Sequence, residues 1–236
     1  MDILIIPKKE YNVNVMKNKK VFFTTKWITY TAMLTALVVA TGYVPAIPVL
    51  TGKIYWCDFV IYMAAYLTDP IASFIVGGVG TSFFDLFGIN GTAYNAIPSL
   101  FIHGVQGLTA STLFLLWRKF APFKKGTKAE VVGAVLSSIL PALIVIFGYF
   151  LKRITWEHLA VEVTLGKMPA NILQEIIGVT VALIILYATS FKRQLERSHL
   201  LPDFTEILKK PAAASEEEPQ EITAEQTQEK IKSGDE

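Results

Sequence analysis

The sequence contains a single cysteine, Cys57, in 236 residues, so no disulfide framework and no multi-cysteine metal site can form within one chain. It is also short of charge: 18% of its residues are Asp, Glu, Lys or Arg, against about 25% in ordinary soluble domains. The shortage is uneven. Between Trp27 and Leu116 the only charged residues are Lys53, Asp58, Asp69 and Asp85. No Gly-x-x-x-x-Gly-Lys-[Ser/Thr] phosphate loop and no His-Glu-x-x-His pair occurs, so the usual carriers of nucleotide hydrolysis and zinc proteolysis are missing. Met1 to Lys20 lacks an apolar core leading to a small-residue cleavage site and does not read as a cleavable signal.

What is present is apolar. Hydrophobic residues make up 52% of the chain, and the mean hydropathy is +0.43. A membrane-spanning helix needs about 20 consecutive, mostly apolar residues. Six runs answer to this: Trp27 to Val49, Ile54 to Leu67, Pro70 to Phe87, Pro98 to Trp117, Val131 to Leu151 and Met168 to Phe191. Turn chemistry separates them at Pro45 and Pro48, Thr68-Asp69-Pro70, Gly88 to Gly91 and Pro122 to Gly126. The second run is short for a hydrocarbon core of about 30 Å and needs shielding by its neighbours. Gly77, Gly78 and Gly80 in the third allow close helix approach. The predicted fold is all-α, a polytopic bundle of six helical segments over residues 26–193. A basic cytoplasmic segment (1–25) precedes it, and a cytoplasmic tail (194–236) follows, acidic and without aromatics from about Pro211, a composition that predicts disorder.

Lysine and arginine placement sets the orientation. Lys8, Lys9, Lys17, Lys19, Lys20 and Lys26 precede the first run. Arg118, Lys119, Lys124, Lys125 and Lys128 follow the fourth, and Lys192, Arg193 and Arg197 follow the sixth. The alternate loops hold only Lys53, Lys152, Arg153 and Lys167. Both termini are therefore expected inside. Trp27, Trp56, Trp117 and Trp156 fall near the expected interfaces, where amphipathic rings belong.

With that topology, nearly every costly polar group falls in the outer half. Asp58 lies at the outer start of the second segment and Asp85 at the outer end of the third. His103 and Gln106, three apart, share one face of the fourth. Asn171, Gln174 and Glu175 share a face of the sixth, in what the run predicts to be its first two turns. Ionisable groups within a bilayer face the protein interior and mark functional sites. Together with Trp56 and Asn95 these residues outline a substrate cup that opens outward, with the loop carrying Asn90, Thr92, Tyr94 and Asn95 across it. Only Asp69 marks the inner edge. No acidic or histidine relay crosses the bilayer. Amides, a histidine, carboxylates and aromatics suit a neutral or weakly basic heteroaromatic compound bearing hydroxyl groups.

The first run also carries Ala32, Ala36 and Ala40, four apart, a small-residue stripe of the kind that permits tight helix contact in lipid. Tyr55-Trp-Cys-Asp58, Gly77-Gly-Val-Gly80 leading to Asp85, Ile102-His-Gly-Val-Gln-Gly107 and Pro169-Ala-Asn-Ile-Leu-Gln174 add local phrases. In this order they resemble the substrate-binding (S) subunits of energy-coupling factor (ECF) vitamin transporters, in the branch that includes riboflavin, pyridoxine and hydroxymethylpyrimidine uptake. The resemblance covers roughly Lys26 to Lys192. It implies a non-enzymatic, multi-pass protein of the bacterial cell membrane that captures a vitamin from outside. It further implies docking through Ala32, Ala36 and Ala40 onto a shared transmembrane coupling protein (the T component), followed by toppling in the membrane to release the cargo. Two cytoplasmic ABC ATPases would use ATP and Mg, with no cofactor or metal in this chain. The competing readings are a solitary secondary transporter, for which inverted repeats are missing, and a membrane enzyme using His103, Asp85 and Glu175 as acid–base groups or metal ligands.

Overall fold

A computed structural model of the protein describes residues 24–50, 52–89, 91–120, 128–189 and 191–197. The expectations for the basic N-terminal residues before 24, for Asn90 and for the tail beyond 197 lie outside the described residues. Six helical segments follow in order: α1 (Thr25–Thr41), α2 (Cys57–Leu67), α3 (Pro70–Phe87), α4 (Ala96–Phe120), α5 (Lys128–Thr155) and α6 (Val161–Ala188), with a short α7 (Phe191–Arg197) after them. Four of these, α3 to α6, are long and apolar enough to cross a membrane.

The first expected span is shorter than its apolar run. Thr24 caps α1, its hydroxyl accepting from the Trp27 amide at 3.2 Å, and the helix ends at Thr41. Pro45 and Pro48 lack the N–H groups a helix would require. The chain instead forms a small antiparallel hairpin, β1 (Ile47–Val49) with β2 (Gly52–Ile54), in which Ile47 pairs with Ile54. Apolarity alone did not reveal this hairpin.

The short second segment is shielded as expected. Every residue of α2 except Phe59 is buried, because α1, α3, α4 and α6 all pack against it. Around it the helices run in a circuit, α1 on α3, α3 on α4, α4 on α5 and α5 on α6. Outside, the pattern is inverted relative to a soluble protein. Met33, Phe101, Ile139, Phe147, Leu151 and Ile176 are exposed, while Asp58, Asp69, Gln106, Glu130 and Glu175 are buried. That distribution suits a chain whose solvent is lipid.

Helix α3 and helix α4 approach backbone to backbone. A Cβ on Gly77 would lie 2.2 Å from the His103 carbonyl oxygen, and one on Gly107 2.3 Å from that of Ser73. The close-approach role expected for Gly77, Gly78 and Gly80 is therefore realised, Gly80 against Val38 of α1. Ile75–Val79 forms a π turn within α3. Its extra residue rotates the following face, and Thr81 and Asp85 reach the cavity described below.

Two buried polar knots close the opposite end of the bundle. Asp69 caps α3 through Oδ1, accepting from the Ile71 and Ala72 amides at 2.9 and 3.0 Å. Its Oδ2 accepts from Trp27 Nε1 at 2.6 Å and Tyr30 OH at 3.4 Å. Trp27 is thus a buried donor, because a buried carboxylate needs partners. The second knot is a buried ion pair between Glu130 and Lys192, with Lys192 Nζ also 3.1 Å from Tyr187 OH. The expectation that only Asp69 marks this end is corrected by that pair. Asp69→Ala removes a cap and strands two buried donors, and should lower stability by about 1–3 kcal/mol. Thermal unfolding of the purified protein in detergent measures this, and an unchanged midpoint would refute the assigned role.

Candidate functional site

Where α2 begins, α3 ends, α4 begins and α5 ends, the bundle holds a cavity of about 190 Å³. Its wall includes Tyr55, Phe84, Asp85, Asn95, His103, Tyr149, Lys152, Arg153, Lys167 and Gln174. Four of the residues read from sequence are on this wall: His103, Gln174, Asp85 and Asn95.

Behind it lies a hydrogen-bonded layer drawn from four helices, α2, α4, α5 and α6. His103 Nδ1 lies 2.7 Å from Gln106 Oε1, and His103 Nε2 lies 2.8 Å from Tyr149 OH. Gln106 Nε2 donates to Glu175 Oε2 at 3.2 Å, and Tyr62 OH donates to the same oxygen at 2.7 Å. Since Gln106 uses its NH₂ on Glu175, its oxygen accepts, which puts the proton of His103 on Nδ1 and leaves Nε2 to accept from Tyr149. Gln174 Nε2 donates to Asp58 Oδ2 at 2.5 Å, while Gln174 Oε1 accepts from the Tyr55 amide at 3.0 Å. Networks of this kind hold a unique arrangement when their members are satisfied; here Asp58 Oδ1 keeps no hydrogen-bond partner and lies 3.5 Å from His103 Nδ1. Asp58, Gln106 and Glu175 belong to this supporting layer and do not line the cavity. The cup read from sequence is therefore two-tiered: a wall that faces the cavity and a buried tier that positions it. Cys57 Sγ, an Asp58 oxygen and a His103 nitrogen also lie within 4.8 Å of one another, although both imidazole nitrogens are already engaged.

The remaining expected residues divide. Asn171 is near the site but its Oδ1 accepts from Arg153 Nη2 at 3.2 Å. Trp56 is not on the wall. Its Nε1 donates to the Pro45 carbonyl at 3.2 Å and ties down the base of the hairpin. Asn171, Gln174 and Glu175 were placed in the first turns of the sixth segment, but α6 begins at Val161, about 15 Å before Asn171 along the axis. Pro169 and the polar residues before it read as a helix boundary, and a membrane bundle instead carries them inside the helix.

Tyr149, Lys152 and Arg153 were missed. They lie at i, i+3 and i+4, a spacing that puts them on one helical face and that offered a signal. The charged pair reads as a loop in sequence, whereas α5 continues to Thr155. Lys152 is buried and pairs with Glu157 at 3.0 Å, and both Lys152 and Arg153 sit over the Tyr149 ring, at 5.0 and 5.7 Å from its centroid. Asp85 Oδ2 accepts from Ser99 Oγ at 2.5 Å. Burial, with Asp85 adding to it, raises the Tyr55 hydroxyl above its ordinary pKa, so it remains a donor across the physiological range. Across the mouth, Tyr94 OH donates to the Trp156 carbonyl and Trp156 Nε1 donates to the Tyr94 carbonyl at 3.1 Å, their rings 5.3 Å apart. The loop expected to cross the cup is thereby clasped to the loop after α5.

Among the described residues, four polar atoms at this end are buried without a hydrogen-bond partner: Asp58 Oδ1, Asn95 Oδ1, Arg153 Nη1 and Asn171 Nδ2. Buried unpaired groups cost about 1–3 kcal/mol each, and Asn95 and Arg153 carry theirs on the cavity wall, which makes this cavity the candidate site.

Residues 22–190 match the sequence profile of the family described as ECF-type riboflavin transporter, S component. Among solved structures, the chain is similar in fold to one described under "Structure and mechanism of the S component of a bacterial ECF transporter". The TM-score is 0.53 at 17% identity, over 74% of this chain and 98% of that one. A second, the S-component for biotin from an ECF-type ABC transporter, gives a TM-score of 0.45 at 20% identity, over 66% of this chain and 88% of that one. No curated protein matches the sequence.

Proposed function

Because the chain belongs to the family of ECF-type riboflavin transporter S components, we propose that it captures a small heteroaromatic vitamin or precursor from outside the cell. It then passes the cargo to an ATP-driven coupling module. The family makes it a substrate-binding component of a transporter, embedded in the bacterial cell membrane, and not an enzyme.

The ligand class rests chiefly on cavity size. At about 190 Å³ the cavity is small beside the roughly 300–1,000 Å³ of sites for drug-sized molecules. A single-ring compound of the pyridoxine or hydroxymethylpyrimidine kind is favoured over a tricyclic one such as riboflavin. The aromatic wall of Tyr55, Phe84 and Tyr149 supplies ring contacts, together with the edge of His103, whose nitrogens are engaged within the protein, while Gln174, Asn95 and Asp85 offer hydrogen bonds to ring nitrogens and hydroxyls. The lysine and arginine distribution, with both termini inside, turns this end of the bundle outward.

Transport would require partners. Ala32, Ala36 and Ala40 are all exposed on α1. Ala32 and Ala36 line a shallow apolar groove with Val39, Val79 and Phe83. Small residues on a lipid-facing helix permit close approach of another helix, and this is the face we assign to the transmembrane coupling protein. ATP and Mg would be used by two partner ATPases, with no cofactor in this chain.

Native mass spectrometry of the purified full chain, followed by calorimetric titration without ATP, tests the capture role. One small heteroaromatic molecule should be retained per chain and rebind, and Gln174→Ala should weaken it about tenfold or more, the loss of an anchoring contact worth about 1.4 kcal/mol. Transport in liposomes by the isolated chain would instead establish a solitary secondary transporter.

A further inference from the structure

The geometry points to an oxyanion-binding pair, Arg153 with Asn171, so that the captured molecule carries a carboxylate or phosphate group in addition to its ring. This assignment rests on the capture role proposed above and narrows its ligand class.

The charged groups at the cavity are not equally engaged. Lys152 pairs with Glu157 at 3.0 Å, whose charge also acts on Arg153, and Asp85 accepts the Ser99 hydroxyl. Arg153 makes one hydrogen bond through Nη2, to Asn171 Oδ1 at 3.2 Å. That bond consumes the only side-chain acceptor of the pair. What remains is donors: Arg153 Nη1 and Asn171 Nδ2, both buried and both without a partner. Lys167, also on the cavity wall, adds a further positive charge.

Two orphaned donors on adjacent, mutually bonded side chains, one of them a guanidinium, suit a group with two oxygens and a negative charge. Guanidinium forks bind carboxylate and phosphate in two-point fashion. A charge-assisted bond is also about twice as strong as a neutral one. Of the other two unpaired atoms at this end, Asp58 Oδ1 lies in the buried tier, 3.5 Å from His103 Nδ1, and Asn95 Oδ1 is an acceptor on the wall that would take a ring N–H or hydroxyl from the same ligand.

The test uses the purified full chain and matched single-ring probes that differ in charge: nicotinate against nicotinamide, and 4-pyridoxate and pyridoxine 5′-phosphate against pyridoxine. Dissociation constants are read by calorimetry. At least one anionic probe should bind about tenfold tighter than its neutral partner, corresponding to about 1.4 kcal/mol. Which anionic arm gains separates carboxylate from phosphate. Arg153→Gln should abolish the preference, costing the anionic probe about tenfold more affinity than it costs the neutral partner. Asn171→Asp, which places a negative charge in the pair, should reverse it, and gives the answer should Arg153→Gln fail to fold. If the neutral probes bind as tightly as the anionic ones, or Arg153→Gln weakens both equally, the oxyanion assignment fails while ligand capture stands. If no probe binds and native mass spectrometry finds no retained molecule, both fail together.

Discussion

Gly77→Ala should lower the thermal unfolding midpoint of the purified protein by about 6–12 °C, the shift about 3 kcal/mol produces in a chain of this size. In an unencumbered helix the same change stabilises, by about 1 kcal/mol. The reversal comes from contact with backbone. The added Cβ would stand 2.2 Å from the His103 carbonyl oxygen and 3.0 Å from its carbonyl carbon, and neither can rotate away as a side chain would. Gly78 faces the Leu100 carbonyl at 2.6 Å and Gly107 the Ser73 carbonyl at 2.3 Å, so the α3–α4 seam is tight along its length. A methyl group there must part the helices, and overpacking costs about 1–3 kcal/mol or more. Ligand affinity should fall as well, because His103 rides on the displaced part of α4. Gly166→Ala is the control: nothing lies within 4 Å of a Cβ at Gly166, and its midpoint should hold or rise. Equal midpoints for the two variants would mean that the seam tolerates a side chain.

The elements most legible in the sequence were those whose signal is local. Six apolar runs gave six helical segments, and the rarity of charge made Asp58, His103, Gln106, Gln174 and Glu175 conspicuous as a group. Their mutual bonding, across α2, α4 and α6, follows from the cost of leaving any of them unpaired in an apolar interior. Segment ends were less legible. Helix α5 takes in Lys128, Glu130, Lys152 and Arg153, and α6 takes in Glu162 and Lys167, charges that read locally as loops. Buried Glu130 and Lys152 are accommodated by partners distant in the chain or beyond the helix, Lys192 for the first and Glu157 for the second. A partner 62 residues away leaves no trace in a hydropathy window. The π turn at Ile75–Val79 likewise has no signature beyond its glycines, yet it sets which face of α3 meets the cavity.

The same reasoning explains why Arg153 escaped attention while Asn171 did not. An amide inside an apolar run is an anomaly on its face, whereas an arginine beside a lysine at the end of a run looks like an anchor in the headgroup region. Only the course of α5 through Thr155 and the contact with Asn171 convert it from an anchor into a candidate ligand contact. The basic part of the wall is therefore the part least visible in sequence, and the buried tier the part most visible.

Ala36→Trp is expected to abolish uptake in cells while leaving ligand affinity unchanged. Ala36 is exposed on α1 and lines the apolar groove with Ala32 and Phe83. That groove is formed by α1 and α3, whereas the cavity is walled by other residues. An indole placed there fills the space into which a partner helix would pack and holds that helix off by several ångströms, more than van der Waals contact tolerates. Every 1.4 kcal/mol removed from docking reduces the assembled fraction about tenfold, so uptake should fall by that factor or more. The control is Val132→Trp on α5, which is also exposed but lies away from the alanine stripe, and it should transport normally. Copurification of the coupling protein with each variant distinguishes a docking defect from a folding defect. Normal uptake by Ala36→Trp would remove the alanine face from the mechanism, and loss of ligand affinity would show that α1 communicates with the cavity rather than serving as a docking face alone.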